Sequence, residues 1–83
     1  MKKVTVLYFA ALRDLTGTGE EQLDLPDGVD TIFDLLEQVT RVRASLRDRL
    51  QSVRVARNEV FADLSEPVRD GDVVALIPPV QGG

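Results

Sequence analysis

The sequence predicts an α+β domain of two layers, with one main helix packed on one face of a mixed sheet. Three observations predict it. Residues 4–9 and 73–77 are strand-like runs with an apolar side chain at almost every position, the pattern of strands covered on both faces. Between them, Ile32, Leu35, Leu36, Val39 and Val42 fall at i, i+3, i+4, i+7 and i+10, one stripe of an amphipathic helix. Turn-forming residues then cut the remainder into short strands.

In chain order, Val4-Thr5-Val6-Leu7-Tyr8-Phe9 is the first strand. Residues 10–15 form a short helix, with Leu12 and Leu15 three apart and Gly17 placed to end it. Thr16-Gly17-Thr18-Gly19 is a turn, and the alternation of Gln22, Leu23, Asp24 and Leu25 marks a half-exposed strand that Pro26-Asp27-Gly28 closes. Thr31, followed three residues later by Asp34, has the spacing of a capping box at the start of the main helix. Residues 45–50 add a helical turn carrying Leu46 and Leu50. The third strand covers 53–57, and Asn58-Glu59 turns it into a fourth at 60–62. Asp70-Gly71-Asp72 turns the chain into the last strand, 73–77. The order is β-β-α-β-β-β with small helical insertions. The two apolar strands, first and last, belong side by side at the sheet centre, and the long connection between them permits a parallel pairing. These features describe a ubiquitin-like β-grasp fold. An up-and-down meander fits less well, since it strands one apolar run at an edge.

Composition narrows the chemistry. Eighty-three residues make one domain, and there is no cysteine and no histidine. That removes disulfides, a thiolate nucleophile, Cys/His metal sites and the commonest general acid–base side chain. The only lysines are Lys2 and Lys3. A net charge of −4 disfavours nucleic acid as the main partner. No run approaches the ~18 apolar residues of a membrane span, and no signal peptide is read before Val4, so the expected location is the cytoplasm. Asp14, Glu20, Glu21, Asp63, Asp70 and Asp72 show no metal or acid–base spacing and read as turn and surface residues.

The organising feature is the end, Leu76-Ile77-Pro78-Pro79-Val80-Gln81-Gly82-Gly83. Residues 1–77 read as the folded domain and 78–83 as a flexible tail. The prolines hold the backbone extended, and the glycines leave a bare peptide fit for a narrow channel. Extended at ~3.3 Å per residue, the tail reaches roughly 20 Å from the body. A carboxylate is a poor acyl donor until a partner activates it, and glycine offers no Cβ to obstruct attack. Two surfaces are further candidates. The arginines at 41, 43, 47, 49, 54 and 57 read either as a solvated face or as a docking patch for an acidic protein. Apolar residues that one helix and residues 10–15 leave uncovered on the second sheet face would form a partner surface, Phe61 and Leu64 included.

The chain resembles the small, sulfur-carrier subunits of molybdopterin synthase over essentially its whole length. The resemblance is carried by Val6-Leu7-Tyr8-Phe9-Ala10, Leu12-Arg13-Asp14-Leu15, Leu25-Pro26-Asp27-Gly28, Val53-Arg54-Val55-Ala56-Arg57-Asn58, and above all by Asp70-Gly71-Asp72 through Pro78-Pro79-Val80 to Gly82-Gly83. It implies that Gly83 is the sulfur-bearing residue, adenylated by an ATP-using, E1-like adenylyltransferase and converted to a thiocarboxylate with sulfur from a sulfur-donating enzyme. Gly82, Gln81, Val80, Pro79 and Pro78 would contact the partner, with Phe9, Arg13, Phe61 and Leu64 as possible partner surface. The charged tail would enter the large subunit, in a heterotetramer of two small and two large subunits. There it would give sulfur to cyclic pyranopterin monophosphate, building the dithiolene of molybdopterin. No permanently bound cofactor and no metal is implied, and the chain is no enzyme on its own. Rival readings are a carrier for thiamine synthesis or tRNA thiolation, a ubiquitin-like protein modifier, and a binding module with an inert tail. Since an exposed tail buries almost nothing, removing Gly82 and Gly83 is expected to leave the melting temperature unchanged to within about 1 °C. Scanning calorimetry showing a fall of many degrees would mean that the tail is packed.

Overall fold

The last strand lies in the middle of the sheet. The computed structural model describes residues 2–79; Met1 and the tail residues Val80, Gln81, Gly82 and Gly83 lie outside the described residues. The elements are β1 (Lys2–Tyr8), α1 (Ala11–Thr16), β2 (Glu20–Leu25), α2 (Ile32–Val42), a 3-10 turn (Ala44–Leu46), β3 (Arg54–Arg57), β4 (Val60–Phe61) and β5 (Val73–Ile77). The strand order is β2-β1-β5-β3-β4. β5 runs parallel to β1, with Val6 opposite Val74 and Tyr8 opposite Leu76. It runs antiparallel to β3, with Val55 opposite Leu76. The ubiquitin-like β-grasp arrangement expected from the sequence is present, with the first and last strands paired in parallel.

Local chemistry accounts for the elements. Thr31 accepts the amide of Asp34, and the Asp34 carboxylate accepts the amides of Asp30 and Thr31, completing the capping box of α2. Those backbone donors hold the Asp34 carboxyl below its usual range. Gly17 ends α1 in the left-handed conformation, at φ 76°, which costs glycine nothing. Asn58 and Glu59 both have positive φ, as a two-residue hairpin joining Arg57 to Val60 requires. Ala10 also has positive φ, 52° with ψ −127°, at the sharp corner between β1 and α1. That conformation favours glycine, so the corner stores strain.

The core lies on one side only. Val4, Val6 and Tyr8 of β1 and Val74 and Leu76 of β5 are buried beneath Ile32, Leu35, Leu36 and Val39 of α2. The alternate residues, Thr5, Leu7, Ala75 and Ile77, are only half-buried. The expectation that β1 and β5 are covered on both faces is therefore wrong: one helical layer exists, and it covers one face. Residues 10–15 do not cover the second face either. Leu12 of α1 joins the same core, and α1 packs against the 3-10 turn. Val42, expected on the buried stripe, is 48 % exposed. At 100° per residue it has drifted about 70° from the centre of that stripe.

Glu21 corrects a further expectation, since it is no free surface residue. Its carboxylate receives two hydrogen bonds from the Arg43 guanidinium, at 2.9 and 3.0 Å, and one from the Tyr8 hydroxyl. Arg43 also donates to the carbonyl of Thr16. This cluster ties β1, β2, the end of α1 and the end of α2 together. The Arg43 guanidinium, helped by Tyr8, holds the Glu21 carboxyl below its usual range against the opposing effect of burial. Burial, and then the neighbouring carboxylate, push the Tyr8 hydroxyl well above an ordinary phenol. A depressed carboxyl stabilises the fold above its unfolded pKa of about 4.3, and the contribution is lost as pH falls through the lower folded value. Glu21→Gln is expected to cost about 2 kcal/mol at pH 7. Melting temperatures at pH 7 and pH 3 should therefore differ less for this variant than for the parent chain. An equal acid loss in both would remove Glu21 from the account.

Candidate functional site

The parallel pairing of β1 and β5 brings their two ends to the same side of the molecule. The chain leaves β5 at Ile77 as Pro78 and Pro79, beside the residues that follow β1. There a groove of about 750 Å³ opens. Phe9, Ala10, Ala11 and Leu12 form one wall and Ile77, Pro78 and Pro79 another; Asp48, Arg49 and Ser52 close it from the turn after the 3-10 segment. The strained corner at Ala10 sits on its rim. Phe9 is 45 % exposed and Pro79 is exposed, so the groove presents an apolar surface at the root of the tail.

The groove is built for contact. The side chains whose proton affinities shift, Tyr8, Glu21, Asp34, Arg43 and Glu66, lie elsewhere and serve the fold. Glu66, for example, accepts the Asp63 amide and pairs with Arg57, and both hold its carboxyl low. What the described part of the site supplies is an apolar surface at the end of the central strand.

Of the predicted partner-surface residues, Phe61 and Leu64 line a common groove, and Phe9 and Arg13 lie elsewhere. Phe9 lines the tail-root groove. Arg13 is exposed on α1 and lies over Gly19, where a Cβ would stand 3.4 Å from its guanidinium Nε. Phe61 stands on the open sheet face at the β4 edge, with the Arg54 guanidinium 4.7 Å from its ring centre. Leu64 lines one groove with Phe61 and another with Phe33. The pairing register does show what links Phe61 to the centre: Leu7, Ala75, Ala56 and Phe61 form one row across β1, β5, β3 and β4 on the uncovered face. Pro78 and Pro79 line the groove with Phe9. The remaining predicted site residues, Val80, Gln81, Gly82 and Gly83, lie outside the described residues. Asp48, Arg49 and Ser52 were not foreseen as groove residues. Only Arg49 carried a signal, as part of the basic run.

Comparison with known proteins bears on this geometry. The pattern of the ThiS family matches residues 6–83. A molybdopterin synthase sulfur carrier subunit of Mycobacterium tuberculosis is 42 % identical over the whole of both chains. The crystal structure of small archaeal modifier protein 1 from Haloferax volcanii superposes with a TM-score of 0.87 at 28 % identity, covering 96 % of this chain and all of that one. A chain in the complex of subunits 1 and 2 of molybdopterin-converting factor from Helicobacter pylori superposes at 0.69 with 27 % identity, covering 98 % and 99 %. The chain belongs to the ThiS family, in the company of the molybdopterin synthase sulfur carrier subunits, one of which it matches from end to end.

Proposed function

We propose that this chain is the sulfur carrier of a molybdopterin synthase. The observation that carries the reading is the 42 % identity to the Mycobacterium tuberculosis sulfur carrier subunit over the full length of both chains. The fold supports it, because the central strand ends at the groove and hands the chain to Pro78 and Pro79. In this reading Gly83 bears the sulfur. Its carboxylate oxygen attacks the α-phosphorus of ATP on an E1-like partner and displaces pyrophosphate. A sulfide equivalent from a sulfur-donating enzyme then displaces AMP and leaves a thiocarboxylate. In the large subunit that sulfur passes to cyclic pyranopterin monophosphate, water supplies the replacing oxygen, and two such transfers build the dithiolene.

The division of labour follows from the side chains. With neither cysteine nor histidine in the sequence, activation and transfer fall to the partners, and the chain supplies the acyl end and its aim. The groove around Phe9, Ile77 and Pro78 is the proposed seat for the large subunit, in an assembly of two small and two large chains. The Helicobacter pylori complex supports that pairing. Among the described residues no helix is long and apolar enough to cross a membrane, and the proposed location is the cytoplasm.

A second reading, a protein modifier, draws on the similarity to the Haloferax volcanii modifier protein. Incubation with ATP, sulfide and the activating enzyme, followed by intact mass measurement, separates the two. The carrier reading predicts a gain of about 16 Da on Gly83, from oxygen replaced by sulfur. It also predicts loss of molybdenum-enzyme activity on deletion of Gly83 in cells lacking other copies. Larger adducts on lysines of other proteins, with no thiocarboxylate, would establish the modifier reading instead.

A further inference from the structure

Among the described residues, three other than glycine have positive φ: Ala10, Asn58 and Glu59. Asn58 and Glu59 form the tight hairpin between β3 and β4. There the Asn58 side chain accepts the Val73 amide and donates to the Asp72 carboxylate, so its conformation is supported from within the chain. Ala10 has no such support. Its φ of 52° goes with a ψ of −127°, far from the left-handed helical well that other residues visit. Only glycine takes up that backbone without strain.

The surroundings impose this backbone on position 10. Tyr8 before it and Leu12 after it are 2 % and 1 % exposed, both fixed in the core. The Tyr8 amide donates to the Gly19 carbonyl at 2.9 Å, the Leu12 amide to the Phe9 carbonyl at 3.1 Å, and the Arg13 amide to the Ala10 carbonyl at 3.0 Å. Between these anchors the chain must turn sharply from β1 into α1. Relaxing residue 10 would pull one of the two core side chains out.

The methyl group, by contrast, is not imposed. Ala10 is exposed and has no place in the core, so its Cβ gains the fold little. Position 10 is also the N-cap of α1, where glycine is favoured over alanine. Backbone and cap both call for glycine, yet the residue is alanine. The one place its methyl occupies is the tail-root groove, in the wall of Phe9, Ala10, Ala11 and Leu12 opposite Ile77, Pro78 and Pro79.

We propose that the Ala10 methyl is a binding contact, packed on by the surface of the large subunit that seats at the tail root. The wall it belongs to carries no charge, so the group it meets is apolar. Folding stability is thereby given up for association, a trade made at binding sites. The proposal rests on the sulfur-carrier reading, which supplies the occupant of the groove, and adds to it the residue and the trade.

The test measures two quantities on the full chain: its melting temperature by calorimetry and its affinity for the purified large subunit by titration calorimetry. Ala10→Gly is expected to raise the melting temperature by about 5 °C, since it releases the strain. The same variant should bind the large subunit about fourfold more weakly, the worth of one buried methyl. A merely structural role would move both in the same direction. Phe33→Ser, which alters an exposed apolar residue of α2 outside the groove, should leave the affinity unchanged. The proposal is overturned if Ala10→Gly is no more stable than the parent, if it binds as tightly as the parent, or if Phe33→Ser weakens binding as much. If the parent chain itself fails to bind the large subunit, the sulfur-carrier reading falls and this proposal with it; a parent that binds, beside an equally tight Ala10→Gly, overturns this proposal alone.

Discussion

β5 is hydrogen-bonded to β1 on one side and β3 on the other, and the rest of the molecule depends on that double pairing. Until the chain has run to Ile77, the sheet is two separate hairpin-like halves. Short-range chemistry guides the last strand into the gap. The Gly71 amide donates to the Lys3 carbonyl, the Lys3 amide to the Asp70 carboxylate, and the Thr5 amide to the Asp72 carbonyl. On the other side the Val73 amide donates to the Asn58 side chain. The Asp70-Gly71-Asp72 turn thus locks β5 in register with both neighbours before a single apolar contact is counted. Pro78 and Pro79 in consequence follow a strand that is hydrogen-bonded on both sides.

A one-sided core follows from the same architecture. One helix covers one face, and a strand in the middle of the sheet must turn its alternate residues outward. The outward row through Leu7, Ala75, Ala56 and Phe61 is an apolar surface that the described residues leave open, next to a groove at the tail root. A free-standing enzyme would bury such residues around its own chemistry. Here the polar groups with shifted proton affinities are used to clamp elements together, and the apolar excess is turned toward solvent. That division suits a protein whose work is done in contact with others.

Much of this was legible in the sequence, for local reasons. Thr31 and Asp34 announce the start of α2 because a capping box needs only three residues, and Asp70-Gly71-Asp72 announces a turn because Gly71 alone carries the positive φ. The parallel pairing was legible from two apolar runs joined by a long connection. The misreadings were non-local. A continuous apolar run does not say whether its second face is covered by the same chain or left open, so the pattern alone reads β1 and β5 as doubly buried. Glu21 gave no sign of Arg43, 22 positions away, or of Tyr8 beneath it. The separation of Phe9 and Arg13 from Phe61 and Leu64 likewise depends on the strand order, which spacing along the chain does not encode.

Native-state amide hydrogen exchange tests directly whether the strand that leads to Pro78 and Pro79 is as firmly held as its neighbour. The amides of Val74, Ala75 and Leu76 should exchange only through global unfolding, with the same free energy as those of Val4 and Val6. Exchange of the β5 amides at the rate of the loop around Asp63, while β1 stays protected, would contradict that expectation: Pro78 and Pro79 would then follow a strand that opens on its own.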